Sequence, residues 1–155
     1  MTSYKRTQIG YLMIIVTLAV LVLFAWAQIT VRSEPPSVDS GANLLVTAIM
    51  VLVLFALSSV TTLTTSIDDK YLRVKFGYGI FKKSFLLSEI ASAKQVKNHW
   101  YYGWGIRFWF WPRKCIYNVS GFDAVEIVMK NGKIYRIGTD VPSELETAIK
   151  QTINI

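Results

Sequence analysis

The chain has 155 residues, of which 52% are hydrophobic and 14% aromatic, with 17 Lys and Arg against 10 Asp and Glu. A soluble domain is itself roughly 45–50% apolar, so the distribution is more telling than the total. No charged residue falls between Arg6 and Arg32 or between Asp39 and Asp68, and each gap exceeds the roughly 20 apolar residues that cross a bilayer. These two gaps exclude an ordinary cytosolic enzyme and a secreted disulfide scaffold.

Residues 1–8 read as a short polar tail carrying Lys5 and Arg6. A first apolar segment, 9–31, is interrupted only by Thr17, Gln28 and Thr30, and Trp26 near its end suits the interfacial position of an aromatic ring. The same stretch has a rival reading as a cleavable signal peptide. Lys5-Arg6 would be its basic start and Ala25-Trp26-Ala27 its cleavage site, although the apolar run exceeds the roughly 7–15 residues usual there. A Pro-containing loop, 32–43, separates it from a second apolar segment, 44–63, whose polar residues are Thr47, Ser58, Ser59, Thr61 and Thr62. Hydroxyls can bond back to helix carbonyls, so they do not forbid insertion. Neither segment holds an ionisable side chain, the usual mark of an ion path or proton relay, and a hairpin anchor is the expectation.

From Ser66 onward there are 14 basic and 8 acidic residues. Basic flanks stay in the cytoplasm, so both termini are expected inside the cell membrane of a multi-pass protein, with the loop outside. The single cysteine, Cys115, cannot form an internal disulfide, which fits a reducing compartment.

After the second segment the hydrophobic period changes to two. Leu72, Val74 and Phe76 alternate with Tyr71, Arg73 and Lys75, predicting a half-buried strand, and Gly77-Tyr78-Gly79 predicts a turn. Ile80 to Phe85 reads as the return strand, Leu86 to Ile90 as a short turn, and Ala91 to Lys97 as another strand. Val125 to Ile137 reads as a hairpin around Asn131-Gly132, a pair that favours a tight type I′ turn. The chain then closes with a helix: Pro142 fits its first turn, Ser143 to Glu146 can form a capping box, and Val141, Leu145, Ile149 and Ile153 recur every four residues.

Gly103-Trp104-Gly105-Ile106-Arg107, Tyr117 to Gly121, Ala124 to Ile127 and Gly138-Thr139-Asp140, in that order, resemble small bacterial membrane proteins with a PH-like domain. The resemblance covers about residues 64–153. It implies an α+β membrane protein: a two-helix transmembrane hairpin, then a PH-like domain (64–155) of about seven antiparallel strands capped by a C-terminal helix. The family is largely uncharacterised, so the resemblance implies a fold more than a task. Arg73, Lys75, Lys82 and Lys83 stand roughly where phosphoinositide-binding PH domains are basic, but their spacing does not reproduce that motif.

Catalytic chemistry has little to stand on. His99 and Cys115 are the only histidine and cysteine, which makes neither a metal cluster nor a defined nucleophile–base pair, and no phosphate-binding or dinucleotide motif is present. No catalytic, cofactor or metal site is therefore expected, and the expectation is a non-enzymatic binding or scaffold module. The distinctive stretch is His99 to Lys114, with four of the five tryptophans. If Ile106 to Arg113 is a strand, Ile106, Phe108 and Phe110 share a core face. Arg107, Trp109, Trp111 and Arg113 then share the other, with Lys114 just beyond. Those five residues are the candidate surface toward the bilayer, its anionic headgroups or a protein partner. The opposing reading packs the tryptophans on the end of the sheet with arginine stacked over them. An accessory subunit of a larger membrane complex is the alternative function. Nucleic acid is not an expected partner, because the tether already gives a reason for net positive charge.

Overall fold

The structure, a computed structural model, describes residues 4–33, 40–110 and 113–153. The described residues open with a strand, β1 (Tyr4–Ile9), followed by two helices, α1 (Tyr11–Ser33) and α2 (Ser40–Ser58). Eight further strands follow: β2 (Thr62–Ile67), β3 (Tyr71–Phe76), β4 (Lys82–Leu86), β5 (Ile90–Lys97), β6 (Gly105–Trp109), β7 (Lys114–Asn118), β8 (Asp123–Met129) and β9 (Ile134–Gly138). The helix α3 (Pro142–Ile153) closes the chain.

Residues expected as a tail are thus a strand. Tyr4 to Ile9 pair antiparallel with Ile67 to Thr62, so the two helices are an insertion within one β-hairpin. The polar run Lys5-Arg6-Thr7-Gln8 has no local strand signature; the partner edge of β2, more than fifty residues downstream, imposes it. Where the chain leaves and returns, the fit is tight. The Gly10 amide donates to the Thr61 carbonyl at 2.7 Å, and a Cβ on Gly10 would stand 2.8 Å from the carbonyl oxygen of Val119.

Of the two apolar segments, one helix, Tyr11–Thr30, is long and apolar enough to cross a membrane; α2 contributes only the shorter apolar run Asn43–Ser58. The second helix ends at Ser58 rather than continuing to residue 63. The hydroxyls of Ser58, Ser59 and Thr61 donate to the carbonyls of Phe55, Ala56 and Ser58, satisfying the last turn. The β-branched run from Thr61 then turns to strand. Thr17, Thr30 and Thr47 likewise bond to carbonyls four residues back, and Gln28 Nε2 donates across to Thr47 Oγ1 at 3.2 Å. Most polar side chains in these segments are therefore satisfied within the helix pair. Residues 34–39 of the expected loop lie outside the described residues.

The strands form a four-stranded sheet, β1-β2-β3-β4, and a five-stranded sheet, β5-β8-β9-β7-β6. Among the described residues the part expected to hold about seven strands holds eight, β2 to β9, joined by β1 from before the helices, and one neighbouring pair, β7 with β9, is parallel. The reason is the β8–β9 hairpin: β9 inserts beside β7 instead of leaving β8 there. Its turn also differs from the tight type I′ expectation. Met129 and Lys133 close it, leaving three residues between, with Gly132 at φ 79° supplying the left-handed position.

Period-two burial builds the core. Leu63 and Ile67, Leu72, Val74 and Phe76, and Phe85 come from the four-stranded sheet, meeting Val125, Ile127, Ile137, Cys115 and Tyr117 of the other. Leu145 and Ile149 of α3 bury fully against them, as their spacing predicts. The helix starts without the expected capping box. Thr139 Oγ1 accepts from the Val141 amide at its start, and Glu146 pairs with Lys150 at 2.7 Å and accepts from Gln95.

Candidate membrane and anion-binding surfaces

Three surfaces follow from this frame. The first surrounds the point where the helices leave the domain. The β3–β4 turn reaches the end of α2: the Phe55 and Tyr78 rings stack at 6.2 Å. Gly77, at φ +40°, makes the approach possible, since a Cβ there would collide with the Ser59 carbonyl. Tyr78, Ile80 and Phe81 are exposed on this turn, beside exposed Ile9 and Tyr11. On the neighbouring side Gln8 Nε2 donates to the Ser120 carbonyl at 2.9 Å, fixing the β7–β8 turn that carries exposed Phe122. An apolar collar therefore rings the base of the helices.

The second surface is a groove of about 350 Å³ between β4 and β6. Both are sheet edges, so among the described residues each has one side without a strand partner. Phe76, Tyr117 and Tyr135 line it together with Ile80, Phe81, Ile106 and Phe108, and Lys82 and Lys83 supply charge.

The third is the outer face of β1 to β4. Alternation turns Leu63, Thr65 and Ile67 inward and leaves Thr64 and Ser66 outside; on β3 it leaves Arg73 and Lys75 outside. With Lys5 and Thr7 of β1 and Lys82 and Ser84 of β4 they line a shallow groove of about 360 Å³.

The tryptophan stretch is arranged differently from expectation. The strand β6 ends at Trp109, and Trp111 lies outside the described residues. The expected core face is only partly covered: Ile106 packs on the core, whereas Phe108, on the same face in the groove beside β4, is 73% exposed and Phe110, beyond the strand, is 88% exposed. Trp109 is 40% exposed, because its ring lies 5.3 Å from that of Tyr102 and 6.0 Å from that of Tyr101. Arg107 and Arg113 are exposed. Lys114 is not a surface residue: it is 8% exposed, its Nζ donates to Tyr102 Oη at 2.9 Å and lies 4.6 Å from that ring. The cause is a strap, residues 98–104, which folds over the far face of the five-stranded sheet, with Tyr102 buried at its centre. The nearby Lys114 ammonium draws the Tyr102 hydroxyl below its ordinary pKa. The ends of β6 and β7 at Trp109 and Lys114 are also carried away from the helix base, since Val119 beyond the other end of β7 is the residue against Gly10.

Under the same strap Glu126 is buried between Arg136, at 2.8 Å, and Lys94, at 3.2 Å. Burial raises its pKa, but the two cations outweigh burial and hold it below the usual carboxylate range. Asn98 Oδ1 accepts from Arg136, and the Arg136 guanidinium lies 5.7 Å from the Tyr102 ring. Cys115 is buried and burial pushes its thiol up, which disfavours the nucleophilic thiolate; the His99 ring stacks on Tyr101 at 5.0 Å. Among the described residues no group of three His, Cys, Asp or Glu is placed to hold a metal ion.

Sequence reasoning missed the collar, and it noted Arg73, Lys75 and Lys82 as basic without placing them on one sheet face with Lys5. The collar has no sequence signature, because it depends on the β3–β4 turn meeting α2. The sheet face had one: Thr62 to Ile67 alternates with period two, and reading it as strand would have moved the helix end and revealed the hydroxyl row. Comparisons with protein-family models, curated proteins and solved structures give no match.

Proposed function

We propose that this chain is a non-enzymatic, membrane-anchored binding module, with a PH-like β-domain held against the inner leaflet of the cell membrane. The observation that carries this reading is the apolar collar of Tyr78, Ile80 and Phe81 around the base of an apolar helix long enough to cross. Aromatic side chains favour the headgroup region, and a domain tied there by two chain connections has a high effective concentration at the surface. The pairing of β1 with β2 supports a two-crossing anchor. A chain that leaves at Ile9 and crosses on α1 must come back to Thr62, and the 19 residues of α2 measure roughly 28 Å at helical rise. Lys5, Arg6 and the net basic domain favour the cytoplasmic side. A second reading, a scaffold or accessory subunit that takes a protein segment, draws on the groove between the two unpaired edges β4 and β6, where an extended peptide could add as a strand.

The test uses the full chain in vesicles, with Cys115→Ser and a polarity-sensitive dye on Phe81→Cys. A matching variant, Asn131→Cys, carries the dye on the β8–β9 turn, which lies by the Asp69–Lys70 turn at the end of β2 and β3 away from the helices. The expected result is a blue-shifted dye quenched by brominated lipid at position 81 and a solvent-like one at 131. Equal solvent exposure at both positions would refute a domain resting on the bilayer.

A further inference from the structure

The outer face of the four-stranded sheet carries two adjacent rows fixed by strand register. Lys5, Ser66, Arg73 and Ser84 lie side by side across β1 to β4, and Thr7, Thr64, Lys75 and Lys82 form the next row. Four side chains are cationic, four are hydroxyl, and none is a carboxylate. The acid beside them, Asp68, is held by Arg73 at 2.7 Å and by the Lys70 and Tyr71 amides. Among the described residues no carboxylate stands within ion-pair distance of Lys5, Lys75 or Lys82.

Such a face is unfavourable when empty. Lys75 and Lys82 are direct cross-strand partners, and like charges placed opposite one another destabilise a sheet. A bound anion turns that repulsion into a clamp. The neighbouring Thr7 and Thr64 hydroxyls, 2.9 Å apart, add donors at the same level.

Position narrows the kind of anion. The 20 apolar residues of α1 cover about 30 Å, the thickness of the hydrocarbon core, so Tyr11 stands near its boundary. Thr7 precedes Gly10 by three residues, or about 10 Å of strand. The headgroup layer is roughly 6 Å deep on each side, and the flexible four-carbon stems of Lys75 and Lys82 span the remainder. The same two lysines flank the turn whose Tyr78, Ile80 and Phe81 belong to the collar.

We propose that this sheet face binds the phosphate of an anionic lipid headgroup in the bilayer that anchors the chain. Lys75 and Lys82 grip the phosphate, and Thr7 and Thr64 of the same row donate to its oxygens. The proposal rests on the membrane-anchored reading above and names the ligand chemistry within it.

The test is a titration of the isotope-labelled full chain in neutral detergent, followed by amide chemical shifts. Short-chain phosphatidylglycerol is compared with phosphatidylcholine of equal chain length, inorganic phosphate and a hexaglutamate peptide. The expected result is saturable shifts at Thr7, Thr64, Lys75 and Lys82 with phosphatidylglycerol, at concentrations where the other three give none. Lys75→Gln with Lys82→Gln should weaken binding about tenfold or more, whereas Lys97→Gln on β5 should not. If the double variant misfolds by circular dichroism, the single Lys82→Gln replaces it, with a smaller loss expected. Equal shifts with phosphatidylcholine would overturn the proposal, as would an equal response to inorganic phosphate or tighter binding of the acidic peptide. Dye quenching at position 81 without a phosphatidylglycerol response would sink this site alone; the converse would sink the resting geometry and leave the site standing.

Discussion

The four-stranded sheet has core on one face and solvent on the other, whereas β7 and β8 of the five-stranded sheet are covered on both. In the first, every second residue is free to be basic or hydroxyl, and Lys5, Thr64, Ser66 and Lys75 collect there. In the second, the same alternation places Lys114, Ile116 and Glu126 under the strap that carries Tyr102. Identical periodicity therefore yields an open basic and hydroxyl face in one sheet and a buried, charge-paired layer in the other. A charged residue on a strand reports the surface only when nothing later in the chain folds back over it.

Substitutions that sharpen this contrast rank by burial. Ile116→Ala, at a fully buried site beneath the strap, should destabilise the fold by roughly 3 kcal/mol in thermal or denaturant unfolding, as truncations in packed cores do. Glu126→Gln should cost about 2 kcal/mol near neutral pH, because Arg136 loses its buried counter-charge. Its pH dependence has a definite sign. The folded-state pKa of Glu126 lies below its unfolded value, so its contribution is fully present above that value, about 4.3, and is lost as pH falls through the folded pKa. The Gln variant should show a flatter acid limb than the parent chain as pH falls below about 5. Ser84→Ala, on the open face of the other sheet, should change stability by less than about 0.5 kcal/mol. A large loss at Ser84 or none at Ile116 would break the distinction between the sheets.

Much of the fold was legible where the signal is local. Leu72, Val74 and Phe76 alternate into the core, the Asn131-Gly132 hairpin forms, and Leu145 and Ile149 bury as their spacing indicates. What the residues could not reveal depends on contacts distant in sequence. Lys5 to Gln8 become a strand only because β2 offers an edge, and the parallel β7–β9 pair follows from where a hairpin docks. The candidate site divides in the same way. Arg107, Trp109 and Arg113 do carry exposure, but Phe108 and Phe110 are the more open residues and Lys114 is buried. The face assignment fell short because β6 is an edge strand whose end overhangs the core, leaving Phe108 in the open groove beside β4, and because the strand ends at Trp109, before Phe110. Glu126 and Arg136 gave no warning of burial, since Tyr102 covers them from a segment more than twenty residues upstream.

The two helices are an insertion within one β-hairpin, and the proposed anchor requires that this return the chain to the side of the membrane it left. The most direct measurement is a disulfide between Thr7→Cys and Thr64→Cys in the full chain with Cys115→Ser, formed under mild oxidation in intact membranes and read by mass spectrometry of the linked peptides. The two native hydroxyls are 2.9 Å apart, so the account predicts rapid and nearly complete cross-linking. It also predicts that both cysteines, when reduced, react with an impermeant thiol reagent from the same side of the membrane. Two cysteines that stay unlinked and are labelled from opposite sides would contradict it.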